Sequence, residues 1–524
     1  GKKHILKGIV FWGKEKTYQA WNGVPEPLIT GDRSRMDDYA DNALEISGAE
    51  KDRFMNAGRN YNLYTYQNQT DNYTQKHHQL HYTNILNDKL TLNTALHYTR
   101  GYGYYEEMRP GDKLSKYGLP NVIIGKDTIQ KTDLVRRRWL DNYFYGLTYA
   151  LTYETKQLNA TIGGAVNRYD GDHTGKVIWV RNANNLDMSK LWYKSNSVKD
   201  DANVYAKINV ELFEGFFASV DLQYRYISYS MNGTDDKYDE KNNTMRNITT
   251  AKPYQYHFFN PKAGLTYKMN DKQSVYASFS VSNREPNRNN YTERSLTATQ
   301  PTFETLYDTE AGYRFQSPEF SAGANLYYMR YRNQLILTGK ISDIGEPLTS
   351  NTPDSYRAGI ELTAGVKITD WLKWDGNFTV SQNKILNFTE EGIDMYDANW
   401  KWVASKDNAL GTIDIAYSPD MIANSIFTAN LKQFEIGFYS NYVGKQFFDN
   451  TSSDERSIDA YFVNNVSLKY ALKLQKLRGI DFQLLVNNLF NTKYETNAYT
   501  WYSYYLDGKR VVYQQLKINS SHFL

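Results

Sequence analysis

From Val204 to Leu212 the chain reads VYAKINVEL. Val204, Ala206, Ile208, Val210 and Leu212 alternate with Tyr205, Lys207, Asn209 and Glu211, the period of an extended strand with one apolar and one polar face. The alternation returns at ASVDLQY (218–224), VYASFSV (275–281), FEIGFYSNY (434–442) and IDFQLLV (480–486), where Leu485 interrupts the polar face. Strands of a β-sandwich run to about five or six residues, yet WLDNYFYGLTYALTYET (139–155) sustains strand character well beyond that. Segments so long suit strands that cross a bilayer at a tilt.

The connections alternate in length. Short turns fall at 87–89, near Lys156, at Glu214 and Gly215, at 270–272, at 317–319, near Asp370 and near Lys432. Between them lie polar stretches at 12–72, 107–135, 175–193, 233–252, 285–303, 339–353, 390–410 and 445–457. Tight turns on one rim and long loops on the other are the pattern of a transmembrane antiparallel β-barrel, here of about seventeen strands.

Composition agrees. No linker or compositional break divides the 524 residues, which favours one large unit. With 61 basic against 58 acidic residues the net charge is +3, so the broad basic face of a nucleic-acid binder is not expected. Cysteine is absent, which removes disulfides, thiolate metal sites and cysteine nucleophiles. No apolar run is long enough for a transmembrane helix, and mean hydropathy is −0.68. A barrel tolerates such polarity because only alternate residues meet lipid. The 46 tyrosines outnumber the leucines and gather near strand ends, as in GYGYYEE (101–107), YRYISYS (224–230) and YTWYSYY (499–505), where an aromatic girdle would lie.

VNNLFNTKY (486–494) resembles the penultimate strand of TonB-dependent outer-membrane receptors. FFNPKAGLTYKMNDKQSVYASFSVSNREP (258–286), ETLYDTEAGYRF (304–315), NLYYMRYRNQL (325–335), NTPDSYRAGIEL (351–362) and YVGKQFFDNT (442–451) are similar to consecutive barrel strands of that family. FWGKEKTYQAWNGV (11–24) and YQNQTDNYTQKHHQLHY (66–82) resemble a Bacteroidota branch of iron-complex receptors.

The resemblance implies a barrel of about twenty-two strands around a plug, multi-pass in the bacterial outer membrane. It implies TonB-coupled import of a scarce metal chelate, of the ferric siderophore, haem or cobalamin class, captured at the outer face. The implied partners are the TonB complex, reached through the plug, the chelate, and outer-membrane lipid and lipopolysaccharide. Residues 1–524 are then expected to be the barrel domain alone, lacking the plug and the first strands. The closing strand is expected to be absent or altered, because Leu524 follows Phe523 where the family ends on an aromatic residue. Open edges are expected near 3–10 and 480–491. The alternatives are a glycan importer of the same superfamily and, further away, a barrel enzyme or passive porin. No G-x-S-x-G, H-E-x-x-H or P-loop is present, and neither catalysis nor a resident cofactor is expected.

RGYGYYEEMRP (100–110) offers Tyr102, Tyr104, Tyr105 and Arg109, aromatic rings with a cation that suit an anionic ring-bearing chelate, or alternatively girdle residues. His77 and His81 lie four residues apart on a strand, about 13 Å at the usual rise, too far to share one ion. NGTDDKYDEKNN (232–243) lacks the order of a calcium loop. Arg136, Arg137 and Arg138 are expected on a solvated rim or against lipopolysaccharide phosphates.

Overall fold

The computed structural model describes residues 3–18, 21–182, 186–239, 242–293, 299–342, 346–473 and 479–518. The chain divides into two compact units. The first comprises Gly1–Ala20, Leu63–Leu212 and Ala218–Lys262, and the second Trp21–Asn62, Phe213–Phe217 and Ala263–Leu524.

The long strands are β1 (His4–Tyr18), β2 (Thr70–Asn87), β3 (Leu90–Lys113), β4 (Lys131–Glu154), β5 (Leu158–Val180), β6 (Leu191–Phe213), β7 (Phe216–Asp239) and β8 (Tyr254–Asn270). There follow β9 (Gln273–Arg284), β10 (Glu304–Gln316), β11 (Phe320–Ile341), β12 (Pro347–Lys367), β13 (Leu372–Tyr396) and β14 (Trp402–Asp414). The last are β15 (Met421–Leu431), β16 (Phe434–Val443), β17 (Tyr461–Leu472), β18 (Ile480–Val486), β19 (Glu495–Leu506) and β20 (Lys509–Ile518).

In the first unit each strand from β1 pairs with its successor, antiparallel from β1 to β6 and on through β7 to β8. Register aligns one apolar row across four strands, Leu80 opposite Leu96, Leu96 opposite Leu147, and Leu147 opposite Val166. These four are 44%, 52%, 41% and 59% exposed. Val204, Ile208, Val220 and Leu222 are exposed as well, and Val210 is half-buried. The alternation found in the sequence therefore points its apolar half away from protein, the reverse of a water-soluble sheet. Gly101 serves the opposite face, where a Cβ would meet the Tyr73 hydroxyl at 2.0 Å.

The second unit is an antiparallel meander from β9 to β13 that continues through β15 to β18. β14 pairs with the far half of β13. Val275, Tyr313, Leu362 and Phe378 lie in one row across these strands, with Ala324 between Tyr313 and Leu362, and all four are exposed. Phe279 is exposed too. Among the described residues β1 and β18 each have one strand partner within their own unit.

Each short turn read from the sequence joins two neighbouring strands. Six of the eight long connections are shorter than expected, because the strands run on beyond the apolar rows, while the one at 285–303 falls as expected and the one after β16 spans 444–460. β1 continues to Tyr18, and the stretch expected as loop at 21–62 holds helices α1 (Glu26–Thr30), α2 (Arg33–Asp38) and α3 (Gly48–Ala57). That stretch packs on the β19–β20 hairpin. Tyr39, Phe54, Tyr513 and Gln515 are buried between them, and the Tyr513 hydroxyl donates to Asp38 at 2.7 Å. No helix among the described residues is long and apolar enough to cross a membrane. Phe523 and Leu524, on which the reading of the closing strand rests, lie outside the described residues.

Candidate functional site

The four candidate ligand residues lie on one strand of the first unit, β3, at its long-loop end, and alternation divides them. Even-numbered residues of β3 share the face of Leu96 and Tyr98, so Tyr102 and Tyr104 continue the apolar row, whereas Tyr105 and Arg109 occupy the opposite face. Two distinct clusters result.

On the first face the rings meet cations. Arg100 lies over Tyr102 at 4.9 Å and over Tyr143 at 5.3 Å, and it holds Asp141 through two hydrogen bonds of 3.1 and 2.9 Å. Tyr104 packs against Trp139 with 4.5 Å between centroids, and Arg137 covers Tyr104 at 4.3 Å while pairing with Glu106 at 2.8 Å. Aromatic rings capped by cations at the end of an apolar row fit the boundary between hydrocarbon and polar head groups.

On the second face a carboxylate organises the guanidinium groups. Glu107 is 1% exposed and accepts from Arg136 Nε at 2.7 Å and Arg138 Nη2 at 2.8 Å. Arg138 Nη1 donates to Asp236 at 2.8 Å. Removing such charges from water is costly unless they pair and hydrogen-bond; the carboxylates pair both guanidinium groups, and Arg136 Nη2 and Arg138 Nε have no hydrogen-bond partner among the described residues. The connection after β3 closes over the group. Leu114, Tyr117 and Val122 are buried with Leu134, Val177 and Trp192, and the Arg136 guanidinium sits about 6 Å from both the Tyr117 and Trp192 rings.

Asp112 ties this cap down, accepting from Lys116 Nζ at 2.9 Å and the Tyr117 hydroxyl at 2.8 Å. Burial alone would raise the Asp112 carboxyl, but the hydrogen bonds from Lys116 and Tyr117 and the nearby Arg109 outweigh it and hold it below its ordinary value. Burial pushes the Tyr117 hydroxyl up to about 12.

Arg136 and Arg138 thus depart from the solvated rim expected of them. Both side chains are under 10% exposed, and their charge is taken up by Glu107 and Asp236. Arg109 differs. Its side chain is 38% exposed and its partner is Asp112 at 3.6 Å, which leaves a guanidinium open to an anion, four residues along the strand from Tyr105.

In the acidic run at 232–243, Asp235 pairs with Arg246 and Asp236 with Arg138, Asp239 accepts hydrogen bonds from Asn242, and Glu240 lies outside the described residues. His77 bonds Thr99 at 3.0 Å and stacks on Phe11, and His81 bonds Gln79 at 3.1 Å. His78 lies on the other face beside Tyr98. Among the described residues no three His, Asp or Glu side chains are grouped to hold a metal ion. Glu107, Tyr117 and Trp192 were not singled out in the sequence, and Asp236 only within the acidic run at 232–243; the one local signal was the adjacent pair Glu106 and Glu107 upstream of the three arginines at 136–138.

The family model described as TonB dependent receptor-like, beta-barrel, matches residues 20–489. No curated protein matches the chain. Among solved structures, the ferric-catecholate import receptor Fiu from E. coli K12 in its closed form is similar at 16% identity and a TM-score of 0.63, over 98% of this chain and 71% of that one. The unliganded ferric citrate transporter FecA is similar at 12% identity and a TM-score of 0.63, over 99% and 67% of the two chains. The ferric yersiniabactin uptake receptor FyuA from Yersinia pestis is similar at 13% identity and a TM-score of 0.56, over 86% and 60%. At these identities the likeness is one of fold, and the chain spans between 60% and 71% of these proteins.

Proposed function

The chain belongs to the TonB-dependent receptor β-barrel family, and from this we propose that it forms the barrel wall of an outer-membrane importer for a scarce metal chelate, of the ferric siderophore, haem or cobalamin class. The observation that carries the membrane part is the set of apolar rows, exposed on one face in each unit. Water penalises exposed apolar area and hydrocarbon does not. The chelate part is supported by the neighbouring folds, which serve ferric-catecholate, ferric citrate and ferric yersiniabactin uptake.

In this reading Tyr102 and Tyr104 anchor the wall at the head-group boundary. Tyr105 and Arg109 face the chelate, with Arg109 offering charge-assisted hydrogen bonds to anionic ligand oxygens. Glu107, Arg136 and Arg138 hold their strand ends rigid beneath the cap. Work to release the chelate inward comes from TonB through a plug that this reading places outside the 524 residues. Import has no chemical step, and no residue is assigned a catalytic role.

The test is uptake of an iron-radiolabelled catecholate or citrate chelate in the native host, with the gene intact, deleted, or carrying Arg109→Ala. Deletion should abolish uptake of one chelate, Arg109→Ala should weaken its binding, and transcript should rise when iron is withdrawn. Uptake of every chelate unchanged by deletion, with induction by a polysaccharide, would favour the glycan alternative.

A further inference from the structure

One edge of β20 is left open where its short partner strand ends. Val24 and Pro25 pair with Leu516 and Gln515, after which the chain turns into α1 instead of continuing beside β20. Among the described residues no strand pairs with that edge from Arg510 to Gln514. A cleft of about 580 Å³ runs there, between α1–α2 and residues 454–459.

Its lining is acidic in a chain of net charge +3, with six carboxylates against the guanidiniums of Arg35 and Arg510. Glu26 is taken up by Arg35 at 2.6 Å, Asp454 by Lys445 at 2.5 Å and Glu495 by Arg59 at 2.7 Å, and Arg510 by Glu390. Asp38 accepts hydrogen bonds from Tyr513 and Asn42, but Asp38, Glu455 and Asp459 carry no ion pair among the described residues. Gln514 lines the same cleft at 8% exposure, and its Oε1 has no hydrogen-bond partner among the described residues.

We propose that this cleft binds an extended basic peptide, paired antiparallel to β20 in continuation of Val24–Pro25. Backbone N–H and C=O groups on an open edge are strong unused partners, and an added strand satisfies them for any sequence. Specificity then comes from alternate side chains, which leave a strand on one face every two residues, about 6.8 Å apart. Lysine or arginine at those positions meets Asp38, Glu455 and Asp459, a concave carboxylate cluster that concentrates cations and repels anionic chelates. The site is therefore separate in chemistry from the group around Arg109, and the proposal goes beyond chelate import.

The test uses the 524-residue chain in detergent micelles and a dye-labelled acetyl-Lys-Val-Lys-Val-Lys amide, followed by fluorescence anisotropy. The comparison probes are the Glu-Val-Glu-Val-Glu counterpart, the basic peptide N-methylated at alternate amides, and spermine. The basic peptide is expected to bind at about 10 μM and the N-methylated and acidic peptides at least about tenfold more weakly, a large enough ratio to read as loss of one interaction class. Glu455→Gln combined with Asp459→Asn alters two exposed side chains, and should weaken the basic peptide about tenfold with an unchanged circular dichroism spectrum. Equal binding of the N-methylated peptide, or spermine competing as well as the peptide, would overturn strand pairing. Unchanged affinity in the double variant, or no binding at about 1 mM, would overturn the proposal as a whole.

Discussion

In the second half of β4, Tyr145, Leu147, Tyr149, Leu151 and Tyr153 are 37% to 41% exposed, while near its start Leu134, Val135, Arg136 and Arg138 are at most 7% exposed. In the function proposed above, one strand, with one alternation and one pair of neighbours, passes through two solvents. In the second half the face of the sheet decides, and apolar side chains turn outward. At the start the cap at 114–129 covers the strand, and even guanidinium groups are buried provided Glu107 and Asp236 accompany them. Exposure of leucine and burial of arginine thus follow from the same principle, that each group is matched to what surrounds it.

The sharpest way to break the comparison is at Glu107. Glu107→Ala leaves Arg136 and Arg138 buried without their shared carboxylate, and breaking a buried pair costs about 3–5 kcal/mol. Limited proteolysis should then cut the 114–129 cap early, before the strands themselves yield. A Glu107→Ala chain as resistant as the parent would mean that the cap is held by its apolar contacts alone.

Next comes a pair of equal truncations. Leu134→Ala, at 0% exposure, should destabilise by about 2–5 kcal/mol as a cavity opens. Leu151→Ala, at 37%, should cost far less in detergent unfolding. Equal losses would erase the distinction between the two parts of β4.

Leu147→Arg follows. On a water-facing surface it would shift stability by no more than about 0.5 kcal/mol, whereas at the level of hydrocarbon it should cost about 2–4 kcal/mol of folding into liposomes. The same substitution at Ile123, 68% exposed at the tip of the cap, serves as the control and should be nearly neutral.

The smallest effect is on pH. The Asp112 carboxyl is held below its ordinary value, so its contribution is present above the unfolded-state pKa and disappears as pH falls through the folded-state value. Protection of the amides at 114–117 against hydrogen exchange should therefore weaken in acid ahead of the strand amides. An Asp112→Asn chain should show weak protection at every pH.

Much of this was legible in the sequence, because strand pairing in a meander is local. The alternation at 204–212 and the tight turns at 87–89, 270–272 and 317–319 each depend on neighbours a few residues away, and they located the strands and their faces. Strand ends were less visible. Beyond the apolar rows charged residues fall on both faces, as in EMRPGDK (107–113) of β3, and such a segment reads as loop although it continues a paired strand. The candidate site was legible only in part. Alternation alone separates Tyr102 and Tyr104 from Tyr105 and Arg109. The burial of Arg138 depends on Glu107 and Asp236, the latter 98 residues away, and the helices at 26–57 pack on a hairpin more than 400 residues further along. Nothing local to those residues announces such partners.

The central claim, that the exposed apolar face meets lipid, is most directly tested by depth-dependent quenching. The chain has no cysteine, so single cysteines placed at 147, 148, 150 and 151 can each carry a fluorophore without background. In liposomes with bromine on the acyl chains, labels at 147 and 151 should be strongly quenched and those at 148 and 150 should not, a period of two read directly from the bilayer. Equal quenching at all four positions, or none at 147 and 151, would contradict the account.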